Sequence, residues 1–280
     1  MTDQANEVRR EVSRSYGEAV SRPAPSACCG GGSQIRKGAV VALGGYSESE
    51  LSTLPEEAVV NSFGCGNPVA LAGLAEGDVV LDLGSGAGID LFLAAKKVGP
   101  TGRVIGVDMT DAMIAKANEN IRRGKYTNVE VRKGIIEELP VESASIDWLI
   151  SNCVINLSPE KPRVFREIAR VLKPGGKMLV SDIVATNLPQ EIRHSSILYS
   201  SCIGGAVSED EYLAGLRTAG LVDAEVRARL VYDAEQLEGM AGSEGEGACG
   251  CGMGKAELAA YALALAGKVW SAKIYARKPL

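Results

Sequence analysis

The chain of 280 residues has one histidine, His194, and none of its seven cysteines stands in a CxxC pair. This argues against a zinc finger or a His-rich catalytic metal site, since such sites draw nitrogen and sulfur ligands from closely spaced sets. No GxSxG elbow accompanies His194, so a Ser-His-Asp hydrolase lacks its nucleophile turn and His194 reads as a surface or packing residue. No apolar run approaches the roughly 20 residues of a membrane helix, the longest being Ala259 to Gly267. The first residues are polar and charged (Thr2, Asp3, Glu7, Arg9, Arg10), without the apolar core of a secretion signal. Basic charge does not dominate either. Thirty Lys and Arg against 35 Asp and Glu give a formal charge of −5, which offers no general attraction to nucleic acid or an anionic membrane. A secreted disulfide scaffold would be shorter and denser in cysteine, so the chain reads as a cytoplasmic protein with free thiols.

What is present is enough apolar material for a large core. The hydrophobic fraction is 46% and the charged fraction 23%, which fits one large domain or one domain with an accessory region. Residues 7–20 place Val8, Val12 and Tyr16 four apart, a helical stripe. Residues 21–33, SRPAPSACCGGGS, read as a linker holding Cys28 and Cys29. Residues 47–60 read as short helical pieces broken at Pro55, and 63–68, FGCGNP, as a loop around Cys65.

From residue 78 strands and helices alternate. Strands are expected at 79–83, 103–108, 129–134, 146–152 and 177–182, with helices at 88–98, 111–123 and 162–172, the last closed by KPGG. Such alternation implies right-handed crossovers and a mainly parallel sheet. Further on, 190–203 and 208–219 are helix candidates, and 222–232 and 268–278 strand candidates. The stretch 239–254 is too rich in glycine for a regular element and carries Cys249 and Cys251. The fold class is therefore α/β, a doubly wound sheet with an N-terminal helical extension and a C-terminal α+β segment. The expected division is a cap at 1–70, a ligand-binding core at 71–182, and a third segment at 183–280.

The stretch LDLGSGAGID, residues 81–90, runs a strand into Gly84, Gly86 and Gly88 and then into a helix. Glycines there permit a tight turn and let a ligand approach the backbone. Asp108 ends the next strand, where a carboxylate can accept both ribose hydroxyls of an adenosine. A dinucleotide fingerprint needs its third glycine where Ile89 stands. Asp82, inside the strand, adds negative charge where a pyrophosphate would sit. A ligand carrying an ammonium and a sulfonium, such as S-adenosylmethionine, suits this site better than NAD.

These residues resemble a class I S-adenosylmethionine-dependent methyltransferase, with a Rossmann-like sheet: LDLGSGAG as the first motif, VDMT as the ribose-binding strand end, LKPGGKMLVSD as the run into the fifth strand. More narrowly, LGGYSESELSTLPEEAVVNSFGCGNP, SNCVINLSPEKPRVFREIARVLKPGG and CIGGA are similar to the arsenite methyltransferases. The resemblance implies methylation of trivalent arsenic, with arsenite and methylarsenite as substrates and Cys65, Cys153 and Cys202 as metalloid ligands. It implies cofactor contacts from Asp82, Gly84 and Gly86 at the methionine end and from Asp108 at the ribose, with Gly88 and Asn152 also at the cofactor. Met109, Ile136 and Glu137 would flank the adenine, and Tyr16 would close over the methionine end. Ile135 departs from the acidic residue often found there.

The chemistry supports this from another side. Ligands of open α/β sheets bind beyond the carboxyl ends of the strands, where Cys153 follows the fourth strand and Cys202 the fifth. Thiolates select soft acceptors, and trivalent arsenic in a pyramid of three keeps a lone pair free for in-line attack. No general base is needed, and the (N/D/S)PP(Y/F) motif of amino-directed nucleic-acid enzymes is absent at SNCVINL. Turnover formally oxidises arsenic, so a thiol reductant such as thioredoxin or glutathione is an expected partner. Cys28 or Cys29 would bridge to Cys65 during turnover, and Cys249 and Cys251 would capture arsenite. The alternatives are methylation of a small organic acceptor, quinone or sterol-like, and non-enzymatic metalloid binding. A nicotinamide oxidoreductase stands further off.

Overall fold

The computed structural model describes residues 3–21, 46–52, 54–62, 64, 66–193, 199, 202–237 and 255–280. The expectations for the linker, His194, the glycine-rich stretch, Cys28, Cys29, Cys65, Cys249 and Cys251 lie outside these residues.

Among the described residues seven strands form one sheet in the order β3-β2-β1-β4-β5-β7-β6. They are β1 Val79–Leu83, β2 Arg103–Asp108, β3 Val129–Lys133, β4 Ile146–Asn152, β5 Leu172–Ala185, β6 Val222–Val231 and β7 Val269–Arg277. The first five pair in parallel, and β7 runs antiparallel between β5 and β6. The short apolar runs expected to be buried strands are just that: four of the five β1 residues and the centre of β4 are buried, as a sheet covered on both faces requires. Chain order reverses between β1 and β4, which opens a crevice at their carboxyl ends.

The helices that cover the sheet are α1 Asp3–Ser21, α2 Glu48–Leu51, α3 Glu56–Val60, α4 Pro68–Leu71, α5 Ile89–Val98, α6 Asp111–Gly124, α7 Lys161–Val171, α8 Gln190–Arg193, α9 Glu209–Thr218 and α10 Lys255–Leu265. One core cluster joins Leu81, Leu149, Phe165, Ile168 and Tyr212, another Val80, Leu91, Phe92, Trp148 and Tyr275.

Three expectations change. KPGG does not separate helix from strand: α7 ends at Val171 and β5 already runs through residues 172–176, with a register shift against β4 between Ile146 and Trp148. The glycines admit an irregular strand where a plain stop was read. The buried face of α1 is Ala5, Arg9 and Val12, with Val8 only partly covered. Finally, α10 adds a helix where only an apolar stretch was noted.

Candidate active site

The carboxyl ends of β1, β2 and β4 open into a cleft. Its floor is the glycine turn after β1. The Gly84 and Ser85 N–H groups donate to Val107 O at 2.8 and 3.2 Å, so the turn hangs from β2 and not from Asp82. Gly84 and Gly86 take φ of +65° and +52°, a region costly for any residue with a Cβ. A Cβ on Gly84 would sit 2.4 Å from Val154 Cγ2, whereas one on Gly86 would meet nothing closer than Met113 Sδ at 4.0 Å. Gly86 therefore leaves an open space that a Cβ would fill, on the wall of the cleft.

Three carboxylates, Asp82, Asp90 and Asp108, line that wall. Burial and the neighbouring charges of Asp90 and Asp108 push the Asp82 pKa well up. Burial raises Asp90 to about 6, against hydrogen bonds from Asn152 and Tyr46 that lower it. Burial raises Asp108 too, although its oxygens accept the Gly86 and Thr110 N–H groups at 3.0 and 2.8 Å. Buried carboxylates this close repel one another, and a bound cation relieves them. An ammonium and a sulfonium fit this donor set; a pyrophosphate would add to the repulsion. The residues thus suit S-adenosylmethionine.

Met109, Ile135, Ile136 and Glu137 also line the cleft, together with Arg9, Val12 and Tyr16 of α1. Glu137 is buried. It accepts hydrogen bonds from Arg9 Nε at 3.1 Å and Ser158 Oγ at 2.6 Å, and the same guanidinium reaches Glu160. Desolvation opposes the Arg9 charge, yet Glu160 and Glu137 together leave its pKa raised.

The structure therefore brings Tyr16, Asp82, Gly84, Gly86, Gly88, Asp108, Met109, Ile136, Glu137, Asn152 and Cys153 to one cleft. Cys202 does not line it. It is buried next to Cys153, with its Sγ donating to Cys153 O at 2.7 Å. Both cysteines adopt left-handed backbone, φ +57° and +64°, held by Cys153 N–H on Ser181 O and Cys202 N–H on Tyr199 O. Strain of this kind gathers at functional sites. Cys153 is disulfide-bonded and Cys202 is not part of that bridge. This corrects the reading of Cys153 as a free thiol, for a bridge is set by tertiary approach that composition does not reveal. Among the described residues no three His, Cys, Asp or Glu side chains are grouped to hold a metal ion, and no helix is long and apolar enough to cross a membrane.

Beside Cys202 lies a pair, buried Asp182 and partly buried Lys161, that the sequence did not single out. Burial raises Asp182 to about 7 despite Lys161, and burial lowers Lys161 to about 8 despite Asp182 and Cys202. Lys161 Nζ donates to Asn156 O and Ser158 O at 3.1 Å. Arg9, Tyr46 and Asp90 were also missed. Asp90 had a visible signal, an acid inside the apolar helix IDLFLAA; Arg9 had its place on the stripe with Ala5, Val12 and Tyr16.

A family model describing a methyltransferase domain matches residues 74–220. An arsenite methyltransferase of Halobacterium salinarum is 47% identical over 65% of this chain and 46% of its own length. One from Homo sapiens is 34% identical over 72% of this chain and 54% of its own. The chain spans about half the length of these curated relatives. The crystal structure of CrArsM, an arsenic(III) S-adenosylmethionine methyltransferase from Chlamydomonas reinhardtii, is 32% identical, covers 86% of this chain and 73% of that one, and superposes with a TM-score of 0.57. A domain match over more than half of the sequence, joined to this likeness in sequence and fold, means that the chain belongs to the arsenite methyltransferase family of S-adenosylmethionine-dependent methyltransferases.

Proposed function

We propose that this chain transfers methyl groups from S-adenosylmethionine to trivalent arsenic, as arsenite and methylated arsenicals, held by the thiolates of Cys65, Cys153 and Cys202. The observation that carries the reading is the approach of Cys202 Sγ to the backbone of Cys153 at the rim of a cleft rich in glycine and carboxylate.

S-adenosylmethionine supplies, when bound, an electrophilic methyl on a sulfonium and leaves as the neutral thioether. Asp82 and the glycines Gly84, Gly86 and Gly88 hold its methionine end, Asp108 its ribose, and Met109, Ile136 and Glu137 its adenine side. Tyr16, on α1, closes over the methionine end. The thiolates fix arsenic with its lone pair toward the cleft, so the new As–C bond takes both its electrons from arsenic. Arsenic rises from the trivalent to the pentavalent state, and two thiols oxidised to a disulfide return it. Thioredoxin or glutathione would then reopen that disulfide. Catalysis rests mainly on placing two reactants, an effect that supplies several kcal/mol, on the order of 7 or more in favourable cases.

The test incubates reduced protein with arsenite, S-adenosylmethionine and a thiol reductant and separates the arsenic species over time. Methylated arsenic is expected from the native chain and a loss of at least about a hundredfold in Cys153→Ser or Cys202→Ser. A native protein that binds S-adenosylmethionine but methylates no arsenic overturns the reading.

A further inference from the structure

The chain on either side of Cys65 is pressed against a polar notch whose parts come from three strands. Gly66 N–H donates to Asn152 Oδ1 at 3.0 Å, and Asn152 Nδ2 donates back to Gly66 O. The Asn152 amide is thus matched to both backbone groups of one residue, as a ladder partner would be. The same Nδ2 reaches Tyr46 Oη at 2.9 Å and Asp90 Oδ2 at 3.1 Å, and Tyr46 donates to Asp90 at 2.8 Å, which braces the amide from behind. On the other side Lys273, from β7, donates from Nζ to Ser181 Oγ of β5 at 2.8 Å.

The fit leaves no room for side chains beside Cys65. A Cβ on Gly64 would lie 2.2 Å from Asn152 Nδ2, and one on Gly66 would lie 1.9 Å from Ser181 Oγ and 2.0 Å from Lys273 Nζ. Both glycines have φ outside the left-handed region, so close approach alone accounts for them.

We propose that Asn152 and Lys273 are positioning residues that seat the backbone at Gly64 and at Gly66, so that metalloid binding by Cys65 depends on them. The inference rests on the arsenic reading above. It gives Asn152 a role other than the cofactor contact implied by resemblance, and it brings into the site a residue from a part of the chain to which the resemblance assigned none. Asn152 lies directly before Cys153. The clamp therefore ties the backbone beside one proposed ligand to the residue beside another.

The experiment compares the native chain with Lys273→Met and Asn152→Ala, all reduced and freed of reductant. Three quantities are read: arsenite affinity, S-adenosylmethionine affinity by calorimetry, and the alkylation rate of Cys65 against that of Cys202 by peptide mapping. Each variant is expected to weaken arsenite about tenfold or more and to alter the alkylation of Cys65 but not of Cys202, and Lys273→Met, which lies outside the cleft lining, to change S-adenosylmethionine affinity less than about threefold. A merely structural role would move both cysteines and both ligands together, and that result overturns the proposal. So does a tenfold loss of S-adenosylmethionine affinity in Asn152→Ala with arsenite binding kept, which would return Asn152 to the cofactor. A native chain that binds no arsenite sinks the function while the alkylation contrast still decides the seat.

Discussion

At the scale of single residues, Gly84 and Gly86 separate two reasons for glycine. Both are left-handed, but only Gly84 faces protein where a Cβ would go. Gly84→Ala is expected to lose about 2–3 kcal/mol of stability, from left-handed strain plus the clash with Val154. Gly86→Ala is expected to lose about 1 kcal/mol from strain alone, yet to weaken S-adenosylmethionine at least tenfold because its methyl enters the cleft. Urea denaturation and calorimetry on both variants check the contrast; equal cofactor losses with equal stability losses would refute it. This turn, with Asp82 and Asp108, was legible in the sequence because its residue types and spacing are local. The Lys161–Asp182 pair was not, since a lysine opening a helix and an aspartate in a strand meet only through packing. The left-handed backbone at Cys153 and Cys202 was equally hidden, because neither residue is glycine or asparagine.

At the scale of elements, α1 is fastened over the cleft by one guanidinium shared between Glu137 and Glu160. The Arg9 and Glu137 side chains are 8% and 2% exposed, so removing one partner strands a buried charge. Arg9→Met is expected to cost about 3 kcal/mol on that account, and the double variant Arg9→Met with Glu137→Gln to recover much of it. Chemical denaturation of the three proteins reads this, with limited proteolysis of α1 as a second measure. Additive losses would show that the pair does not act as a latch. The strands β1, β2 and β4 carry the bounds expected from their apolar runs. The helix α10 escaped because, past Lys255 and Glu257, its residues are apolar throughout, with no stripe for periodicity to report.

At the scale of the whole molecule, acidity and redox state set limits. Asp182 ionises near 3.8 when unfolded and at about 7 when folded. The folded state therefore holds the extra proton between those values, and this group's contribution is full at low pH and lost as pH rises to about 7. Lys161 has the opposite sign. Its folded pKa is depressed from 10.5 to about 8, so its contribution is present at high pH and lost as pH falls through that window. Asp182→Asn is expected to flatten the fall in stability between pH 4 and 7, as denaturation at a series of pH values would show; an unchanged slope would exclude the assignment. The bridge at Cys153 leads to a second expectation. Oxidised protein should bind arsenite at least tenfold more weakly than protein treated with reductant, and equal affinities would exclude Cys153 as a ligand.

The placement of β7 also governs how the chain is made. Its two neighbours, β5 and β6, leave the ribosome before it does, and among the described residues β6 pairs with no other strand of the sheet. Until residues 269–277 emerge, the nascent protein carries an open edge on β5 beside an unpaired β6, the arrangement most prone to join with another chain. The same nine residues bring Lys273 to the notch beside Gly66. Closure of the sheet and completion of that notch are thus one event in synthesis, and a chain interrupted earlier exposes a sticky edge before it owns the lysine at its site.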